Sequence, residues 1–349
     1  MRIVVCEARV PFVTGGAEAH VGELVRELGE RGHQVERISL PFKWYPKEEI
    51  LAHAAAWRLI DLSESNGSRI DLAIATKFPS YFVRHPNKVT WLIHQHRAAY
   101  DLCGTAFGDF EHTEQDVGLR LRLIELDREM LGECARLFAN ARNTASRVQK
   151  FNGLIAEPLY HPPRLAPRLR PGPLGNYVLF VGRLDRLKRP DLVLRALAQA
   201  PQALSVILAG DGPLRSELQQ MAESLGISSR ADFRGWVGDA DLLELYAGAL
   251  ATIYAPFDED FGYVTLESFL ARKPVVTTVD AGGPLEFVTD GVNGLVTEPS
   301  PEALAAALAR LNGDRHTAAS LGNAGFELAR TITWDGVVEK LVGSGAAGG

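Results

Sequence analysis

Residues 177–200 read YVLFVGRLDRLKRPDLVLRALAQA and carry the clearest signature of the fold class. The start of this segment, 177–182, is rich in β-branched and aromatic side chains, which predicts a short buried strand. A polar turn follows, and residues 189–200 then place apolar side chains at helical spacing. Strand, turn and helix in this order predict a parallel sheet that is covered by helices.

The same alternation extends through the whole second half of the chain. Further strands are predicted at residues 204–210, 231–235, 252–255 and 274–278. Further helices are predicted at residues 214–225, 239–249, 265–271, 301–311, 317–331 and 335–342. This regular repetition predicts a doubly wound α/β domain, and such domains bind ligands outside the carboxyl ends of their strands.

The first half repeats the pattern less regularly. Its strands are predicted at residues 2–6, 35–39, 71–76, 88–93 and 137–140. Its first helix is indicated by Ala17, Val21, Leu24 and Leu28, which recur at helical spacing before a stop signal at Gly32. Two more helices are predicted at residues 111–136 and 144–150. We therefore expect a second doubly wound domain in this half.

A proline-rich segment separates the two halves. Residues 157–175 read EPLYHPPRLAPRLRPGPLG, with six prolines and two glycines, so that neither a helix nor a central strand can run through them. A chain of 349 residues also exceeds the usual size of one hydrophobic core. We expect domains over 1–160 and 176–332, a linker over 161–175, and a segment 333–349 whose helix packs on the first domain and whose tail is flexible. The predicted architecture is two Rossmann-like α/β domains that face each other across a cleft.

Charge and hydropathy limit the class of partner. The formal net charge of −6 argues against nucleic acid, which requires a basic surface. The N-terminus enters a strand-like run without signal-peptide features, and no apolar stretch approaches the roughly 18 residues that span a bilayer. We expect a cytoplasmic protein, with peripheral contact to the inner face of the membrane as an open alternative. The segment PFKWYPK at residues 41–47 suits a membrane interface, an acceptor pocket or a partly packed loop.

Two acidic residues and two basic residues are the candidates for chemistry. Glu259 and Glu267 lie on either side of the aromatic-glycine turn in FDEDFGYVTLE, residues 257–267. Carboxylates accept hydrogen bonds from vicinal hydroxyl groups, and a helix that starts between them offers N–H groups to an anion. Arg183 and Lys188, in the turn after the strand at 177–182, suit a diphosphate. Taken alone, each pair is also compatible with a solvated loop, but together they suit a nucleotide sugar.

Six motifs follow one another in the order VGRLDRLK, AGDGPLRSEL, FRGWV, EDFGYVTLES, AGGPLEFVTDGVNGLV and TWDGVVEKL. In this order the second half resembles the catalytic domain of the retaining glycosyltransferases of family four, which have the GT-B fold. The segments GGAEAHVGELVRELGERGHQV and NGLIAEPLYHPP extend the resemblance over nearly the whole chain. The resemblance implies a metal-independent hexosyltransferase without a cofactor. The implied donor is a nucleotide diphosphate sugar, such as a UDP- or GDP-sugar, and the implied acceptor is a saccharide or a lipid-linked molecule in cell-surface glycan or glycolipid synthesis.

The resemblance also implies residue roles. Arg183 and Lys188 would bind the donor diphosphate, Glu259 the donor sugar and Glu267 the ribose, while His94 would hydrogen-bond the sugar near the reacting carbon. The expected catalytic residues are therefore His94, Arg183, Lys188 and Glu259. The expected donor-binding residues are Gly15, Gly16, Gly182, Gly210, Trp236, Val237, Phe261, Gly262, Tyr263, Val264 and Glu267. Family members usually have glycine where this chain has Arg189. We expect the Arg189 side chain to add positive charge beside the phosphate site.

Several of these residues also have a plainer interpretation. Gly15-Gly16 is not part of a GxGxxG motif and suits an ordinary helix-entry turn. Gly210 permits a turn, and Trp236 is equally compatible with the core. Close to His94, Arg97 is a candidate for an acceptor phosphate and His96 suits an ordinary surface position.

The rival functions are a sugar-nucleotide epimerase, a glycan phosphorylase and a catalytically inactive sugar-nucleotide sensor.

Overall fold

The computed structural model describes residues 1–13 and 15–343, so the expected flexible tail lies outside the described residues. The chain divides into two compact units. The first comprises Met1–His161 together with the segment that begins at Thr333, and the second comprises Pro162–Ile332. The proline-rich segment after His161 therefore belongs to the second unit.

The first unit is built on a six-stranded parallel sheet. Its strands are β1 (Arg2–Arg9), β2 (Gln34–Pro41), β5 (Leu72–Ala75), β6 (Lys88–Leu92), β7 (Arg136–Ala139) and β8 (Glu157–Pro158), in the order β2-β1-β5-β6-β7-β8. A small antiparallel hairpin is formed by β3 (Glu64–Ser65) and β4 (Ser68–Arg69). The helices that follow in the chain are α1 (Gly16–Glu30), α2 (Glu49–Leu59), α3 (Glu114–Gly132) and α4 (Arg142–Asn152).

Alternate residues of β1 pack on opposite faces of this sheet, as the pleat of a strand requires. Cys6 belongs to a core that includes Trp57 of α2, whereas Val5 belongs to a second core that includes Leu24 of α1. Because both faces are covered, the strands are apolar on both sides, which explains why the sequence shows continuous apolar runs rather than alternation.

The second unit is also built on a six-stranded parallel sheet. Its strands are β9 (Tyr177–Val181), β10 (Ser205–Ala209), β11 (Ala231–Gly235), β12 (Ala251–Ile253), β13 (Val275–Thr278) and β14 (Gly294–Thr297), in the order β11-β10-β9-β12-β13-β14. Its helices are α5 (Pro190–Gln199), α6 (Arg215–Ser224), α7 (Asp239–Gly248), α8 (Tyr263–Leu270), α9 (Pro301–Gly313) and α10 (Arg315–Ala329). The strand order reverses between β9 and β12, which is where ligands of doubly wound sheets bind. The predicted fold class of two Rossmann-like α/β domains is confirmed.

The last helix, α11 (Trp334–Val342), belongs to the first unit. Its Trp334 ring lies 5.2 Å from the ring of His161 and 6.0 Å from that of Trp91, between ring centroids. Arg136 of β7 donates a 2.7 Å hydrogen bond to the Lys340 carbonyl oxygen. Across residues 1–13 and 15–343, no helix is both long and apolar enough to cross a bilayer.

The predicted elements differ from the structure in the length of one helix and in the elements that were not predicted, which are α2, the hairpin of β3 and β4, and the short edge strands β8 and β14. The helix expected over residues 111–136 is shorter, because Thr113 caps its start by accepting a 3.2 Å hydrogen bond from the Asp116 N–H and Arg136 already begins β7. Helix α2 was not predicted, although Ile50, Ala54 and Trp57 are buried at helical spacing. The edge strand β14 was not predicted because it is only four residues long and follows a polar turn.

Candidate functional site

The candidate site of the second unit lies at the carboxyl ends of β9, β12 and β13. The turn after β9 carries Gly182, Arg183 and Lys188, and the loop after β12 carries Glu259. Backbone hydrogen bonds hold that loop in place: Phe257 N–H donates to the Leu187 carbonyl at 2.8 Å, and Glu259 N–H donates to the Ala281 carbonyl at 2.8 Å. The parallel sheet therefore brings together two segments that are about 70 residues apart in the chain.

Lys188 and Glu259 form an ion pair, and the side chains are 21% and 20% exposed. Tyr254 completes the cluster, because its hydroxyl donates to Glu259 Oε2 at 3.1 Å and lies 3.3 Å from Lys188 Nζ. Burial, the largest single influence, lowers the pKa of Lys188, but the Glu259 carboxylate and the Tyr254 hydroxyl together outweigh it and raise this pKa above its usual value. The Lys188 side chain is therefore positively charged near pH 7, and it lies at the carboxyl ends of the central strands.

Arg183 lies in the same turn but outside this cluster. Its side chain is 65% exposed, and its Nε lies 3.8 Å from the Asp185 carboxylate. Asp185 in turn accepts a 3.0 Å hydrogen bond from the Lys188 N–H and shapes the turn. The structure thus places Lys188 and Glu259 together and leaves the Arg183 guanidinium accessible from solvent.

Arg189 does not add free charge beside this turn, which corrects the expectation from the sequence. Its guanidinium forms two hydrogen bonds with the Asp280 carboxylate, at 2.7 and 2.8 Å, and the side chain is 14% exposed. Its backbone has φ +50°, a left-handed conformation that glycine adopts most easily. The position therefore keeps the backbone shape that suits glycine and uses the side chain to bind a neighbouring loop.

Glu267 lies on α8, one turn from its start, where it accepts a 2.7 Å hydrogen bond from the Tyr246 hydroxyl. Burial raises the pKa of this carboxyl group. The helix begins after Gly262, which has φ +82°, and a Cβ there would lie 3.0 Å from Pro284 and 3.1 Å from Tyr254. Glycine is therefore required for the helix to start close to the Glu259 loop.

The other predicted residues of the second unit serve different purposes. The Phe261 ring is 2% exposed and packs 5.5 Å from the Phe287 ring, so its side chain belongs to the core. A Cβ on Gly210 would lie 1.9 Å from the Gly182 carbonyl oxygen, so this glycine is needed for close packing of two turns. Trp236 is 84% exposed, which excludes the core alternative and leaves its ring available at the end of β11.

Five further predicted residues have simpler placements. Val237 is half-buried after β11, and Tyr263 and Val264 form the first turn of α8. In the first unit, Gly16 begins α1, and Gly15 donates a 2.9 Å hydrogen bond from its N–H to Glu18 Oε2. This last contact favours the interpretation of Gly15-Gly16 as a helix-entry turn.

His94 follows β6 and lines a cavity within the first unit, and its Nδ1 lies 2.8 Å from the Gln95 carbonyl oxygen. Trp44 of the PFKWYPK segment lines the same cavity, which favours the acceptor-pocket interpretation of that segment. Arg97, a candidate for an acceptor phosphate, instead donates a 2.9 Å hydrogen bond from Nε to Asp101. His96 is half-buried rather than on the open surface, its Nε2 is closed to solvent, and it too lines the cavity.

Sequence reasoning missed the tyrosines and the aspartate that hold the site together. Tyr254 stands in the strand-end motif TIYAP, and its position directly after β12 was a usable signal. Tyr246 and Asp280 carried no such signal, because their partners lie 21 and 91 residues away in the chain. Within the part of the chain that the structure describes, no group of three or more His, Cys, Asp or Glu residues is arranged for a metal ion.

Comparisons with known proteins agree with the motifs. Residues 169–328 match the family model for glycosyl transferases group 1. The D-inositol 3-phosphate glycosyltransferase of Thermomonospora curvata is 35% identical over 178 residues, which are 47% of this chain and 41% of that protein. The protein of the same name from Nocardia farcinica is 30% identical over 247 residues, which are 63% of this chain and 54% of that protein. The matched region is thus about half the length of these curated relatives.

A solved structure shares the fold over nearly the full length. Anabaena Alr3699/HepE, in complex with UDP-glucose, superposes with a TM-score of 0.73 over 98% of each chain, at 19% sequence identity. At this identity the likeness shows the fold, which is GT-B. The family match itself covers residues 169–328, a little under half of the chain, and this segment contains Lys188, Glu259 and Glu267. The segment is similar over that range to the glycosyl transferases group 1 family, as the order of its motifs indicated.

Proposed function

We propose that this chain transfers a hexose from a nucleoside diphosphate sugar to a hydroxyl group of an acceptor, with retention of anomeric configuration and without a metal ion. The observation that carries the proposal is the ion pair between Lys188 and Glu259 at the carboxyl ends of β9 and β12. It combines a cation for a diphosphate with a carboxylate for sugar hydroxyls at the point where the strand order reverses. The match of residues 169–328 to a glycosyltransferase family supports the same activity.

The two cations act on the leaving group. Lys188 stays charged because Glu259 and Tyr254 raise its pKa, and it therefore stabilises negative charge that develops on the diphosphate. Arg183 supplies a second, exposed guanidinium in the same turn, which suits bidentate contact with a phosphate. Charge on the leaving diphosphate is thus neutralised by protein side chains, a role that a metal ion fills in other transferases.

The two carboxylates bind hydroxyl groups of the donor. Glu259 is oriented by Tyr254, by Lys188 and by the backbone of its loop, and we assign it to the hexose. Glu267 is oriented by Tyr246 on a different helix, and we assign it to the ribose. Carboxylates that are already held by neighbours bind without further loss of side-chain freedom.

A front-face substitution fits this arrangement. The bond between the anomeric carbon and the phosphate oxygen breaks, the acceptor oxygen bonds to the same face of that carbon, and the acceptor proton moves to the leaving phosphate oxygen. Glu259 is held by a lysine and a tyrosine, which favours a binding role over that of a covalent nucleophile. Rate acceleration then comes from positioning and from charge stabilisation.

A donor screen followed by a transfer assay tests the proposal. Because the fold is shared with a protein solved with UDP-glucose, UDP-hexoses are the first donors to try, with GDP- and ADP-sugars beside them. We expect one donor to raise the melting temperature and then to yield UDP, GDP or ADP together with a glycosylated acceptor. An epimerised donor without acceptor would show an epimerase, release of sugar 1-phosphate from a glycan would show a phosphorylase, and binding without turnover would show a sensor.

A further inference from the structure

The first unit contains a cavity of about 580 Å³ at the carboxyl ends of β1, β2, β5 and β6. This volume lies within the usual range of small-molecule sites. The larger apolar and aromatic side chains of its wall are Val10, Val13, Phe42, Trp44, Phe78 and Phe107. Because the cavity lies at the carboxyl edge of a doubly wound sheet, it occupies the position where such sheets bind ligands.

The aromatic rings of this wall support one another. The Phe42 centroid lies 6.3 Å from that of Trp44, in a stacked arrangement, and 5.8 Å from that of Phe78, edge to face. The His96 ring lies 5.9 Å from Phe78 and 6.2 Å from Phe42. A wall of mutually packed rings has little freedom to lose on binding, so it is suited to flat apolar groups.

The cavity has no surplus positive charge. Of its described lining residues, Lys77 is the only lysine or arginine, and its Nζ lies 2.8 Å from Glu18 Oε1. Burial raises the pKa of Glu18, but Lys77 and the Gly15 N–H outweigh it and lower this pKa, so the carboxylate stays ionised. Asp109 adds a further carboxylate to the lining. A phosphate group in the cavity would thus lie near Lys77, whose charge is neutralised by Glu18, and near the Asp109 carboxylate, which would repel it.

His96 provides a polar group within the aromatic wall. Burial lowers its pKa to about 4, which keeps the imidazole neutral near pH 7. Its Nε2 is buried and has no hydrogen-bond partner among the residues that the structure describes. Because the ring is neutral, His96 adds no positive charge to the wall of the cavity.

From these four observations we infer that the cavity binds the acceptor, and that the acceptor is an uncharged alcohol with a flat apolar group, such as an aryl glycoside, rather than a phosphorylated polyol. The inference rests on the proposed function and adds the chemical class of the acceptor. It separates this chain from the curated relatives, which are named for D-inositol 3-phosphate.

Direct binding of two probes to the full-length chain tests the inference independently of catalysis. Fluorine NMR follows 4-fluorophenyl β-D-glucoside, and isothermal calorimetry follows D-myo-inositol 3-phosphate. We expect the aryl glycoside to bind at least about tenfold more tightly than the inositol phosphate, because it fills the aromatic wall. Tighter binding of the inositol phosphate would overturn the inference.

Substitutions in one loop locate the binding site. Trp44→Ala should weaken binding of the aryl glycoside about tenfold, because it removes one ring of the wall. Tyr45→Ala is the matched control, since Tyr45 is 61% exposed and is not among the lining residues. Equal binding by the wild type and Trp44→Ala would overturn the assignment of the cavity. If the aryl glycoside binds in a manner that depends on Trp44 but receives no sugar from any nucleotide sugar, the proposed function fails while the binding site stands.

A charge variant tests the explanation for the preference. Glu18→Gln keeps an oxygen for the Gly15 N–H but leaves Lys77 without its carboxylate partner. We expect binding of D-myo-inositol 3-phosphate to improve about tenfold in this variant, because a partly buried ammonium then faces the cavity uncompensated. Unchanged binding of the phosphate would contradict the claim that Glu18 cancels the Lys77 charge.

Discussion

Arg189 and Asp280 form a bidentate ion pair, with an Nη1–Oδ2 distance of 2.8 Å and an Nη2–Oδ1 distance of 2.7 Å. The same guanidinium donates to the Ala255 carbonyl at 2.8 Å and to the Pro256 carbonyl at 2.6 Å. Arg189 therefore fastens the end of β13 to the loop after β12, which carries Glu259. The geometry of the candidate site depends on a residue that contacts neither the diphosphate nor the sugar in our proposal.

Replacement of Asp280 by asparagine should destabilise the second unit. The substitution removes the negative charge from a largely buried, bidentate pair, and charge-assisted hydrogen bonds of this kind contribute about 1.5–3 kcal/mol each. We expect the melting temperature to fall by roughly 5 °C, measured by differential scanning fluorimetry.

The control for Asp280→Asn is the same substitution in an exposed pair. Asp232 and Arg234 form an ion pair whose side chains are 47% and 53% exposed. Solvent screens such a pair, so Asp232→Asn should leave the melting temperature nearly unchanged. An equal effect of the two substitutions would show that the Arg189–Asp280 pair has no special structural role.

Lys188→Ala should abolish most of the transferase activity. Lys188 is the partly buried cation of the candidate site, and removal of a positioned charge at a developing negative charge typically lowers kcat by about 10²–10³. Arg186→Ala provides the control, because Arg186 is exposed in the same turn. The measurement is release of the nucleoside diphosphate at saturating donor, and a similar rate in both variants would exclude Lys188 from catalysis.

Two tyrosine variants should separate sugar binding from nucleotide binding. Tyr254→Phe removes a hydrogen bond to Glu259, and Tyr246→Phe removes one to Glu267. We expect Tyr254→Phe to raise the KM of the nucleotide sugar about fivefold, and to change the affinity for the free nucleoside diphosphate by a smaller factor, because Lys188 keeps Glu259 as its partner. Tyr246→Phe should weaken the binding of both ligands, because Glu267 is assigned to the ribose. If Tyr254→Phe weakened the binding of both ligands and Tyr246→Phe affected only the nucleotide sugar, Glu259 would be assigned to the ribose and Glu267 to the hexose.

The stability of the first unit should depend on pH through Asp127. Burial raises the pKa of Asp127 to about 7, although hydrogen bonds from the Tyr100 and Tyr81 hydroxyls lower it. The Tyr100 hydroxyl donates to Asp127 Oδ2 at 2.5 Å. Below the usual pKa of Asp, both the folded and the unfolded state hold the proton. As pH rises towards 7, the unfolded state releases the proton first, so the stability of the fold falls.

Asp127→Asn removes this titration. The loss of melting temperature between pH 5 and pH 8 should therefore be smaller in the variant than in the wild type, with other titrating groups common to both. Parallel pH profiles for the two proteins would show that Asp127 is ionised in the folded state at pH 5.

The fold could be predicted from the sequence because it depends on local patterns. The apolar run at β9, followed by Pro190 at the first helical position of α5, identifies a strand, a turn and a helix without any knowledge of distant residues. The candidate site was predictable only in part. Lys188 and Glu259 stand in recognisable motifs, but the bond between Arg189 and Asp280 joins residues 91 positions apart. The spacing of residues in the sequence does not predict which distant residue the Arg189 side chain contacts.

The most direct measurement of the central claim is the configuration of the first product. Proton NMR of the glycoside that forms from an α-linked nucleotide sugar and a hydroxyl acceptor reports the anomeric configuration directly, because a glycoside does not mutarotate. We expect an α-linked product from the wild type, and none from Glu259→Ala although that variant remains folded. A β-linked product, or full activity of Glu259→Ala, would contradict retaining transfer at the Lys188–Glu259 site.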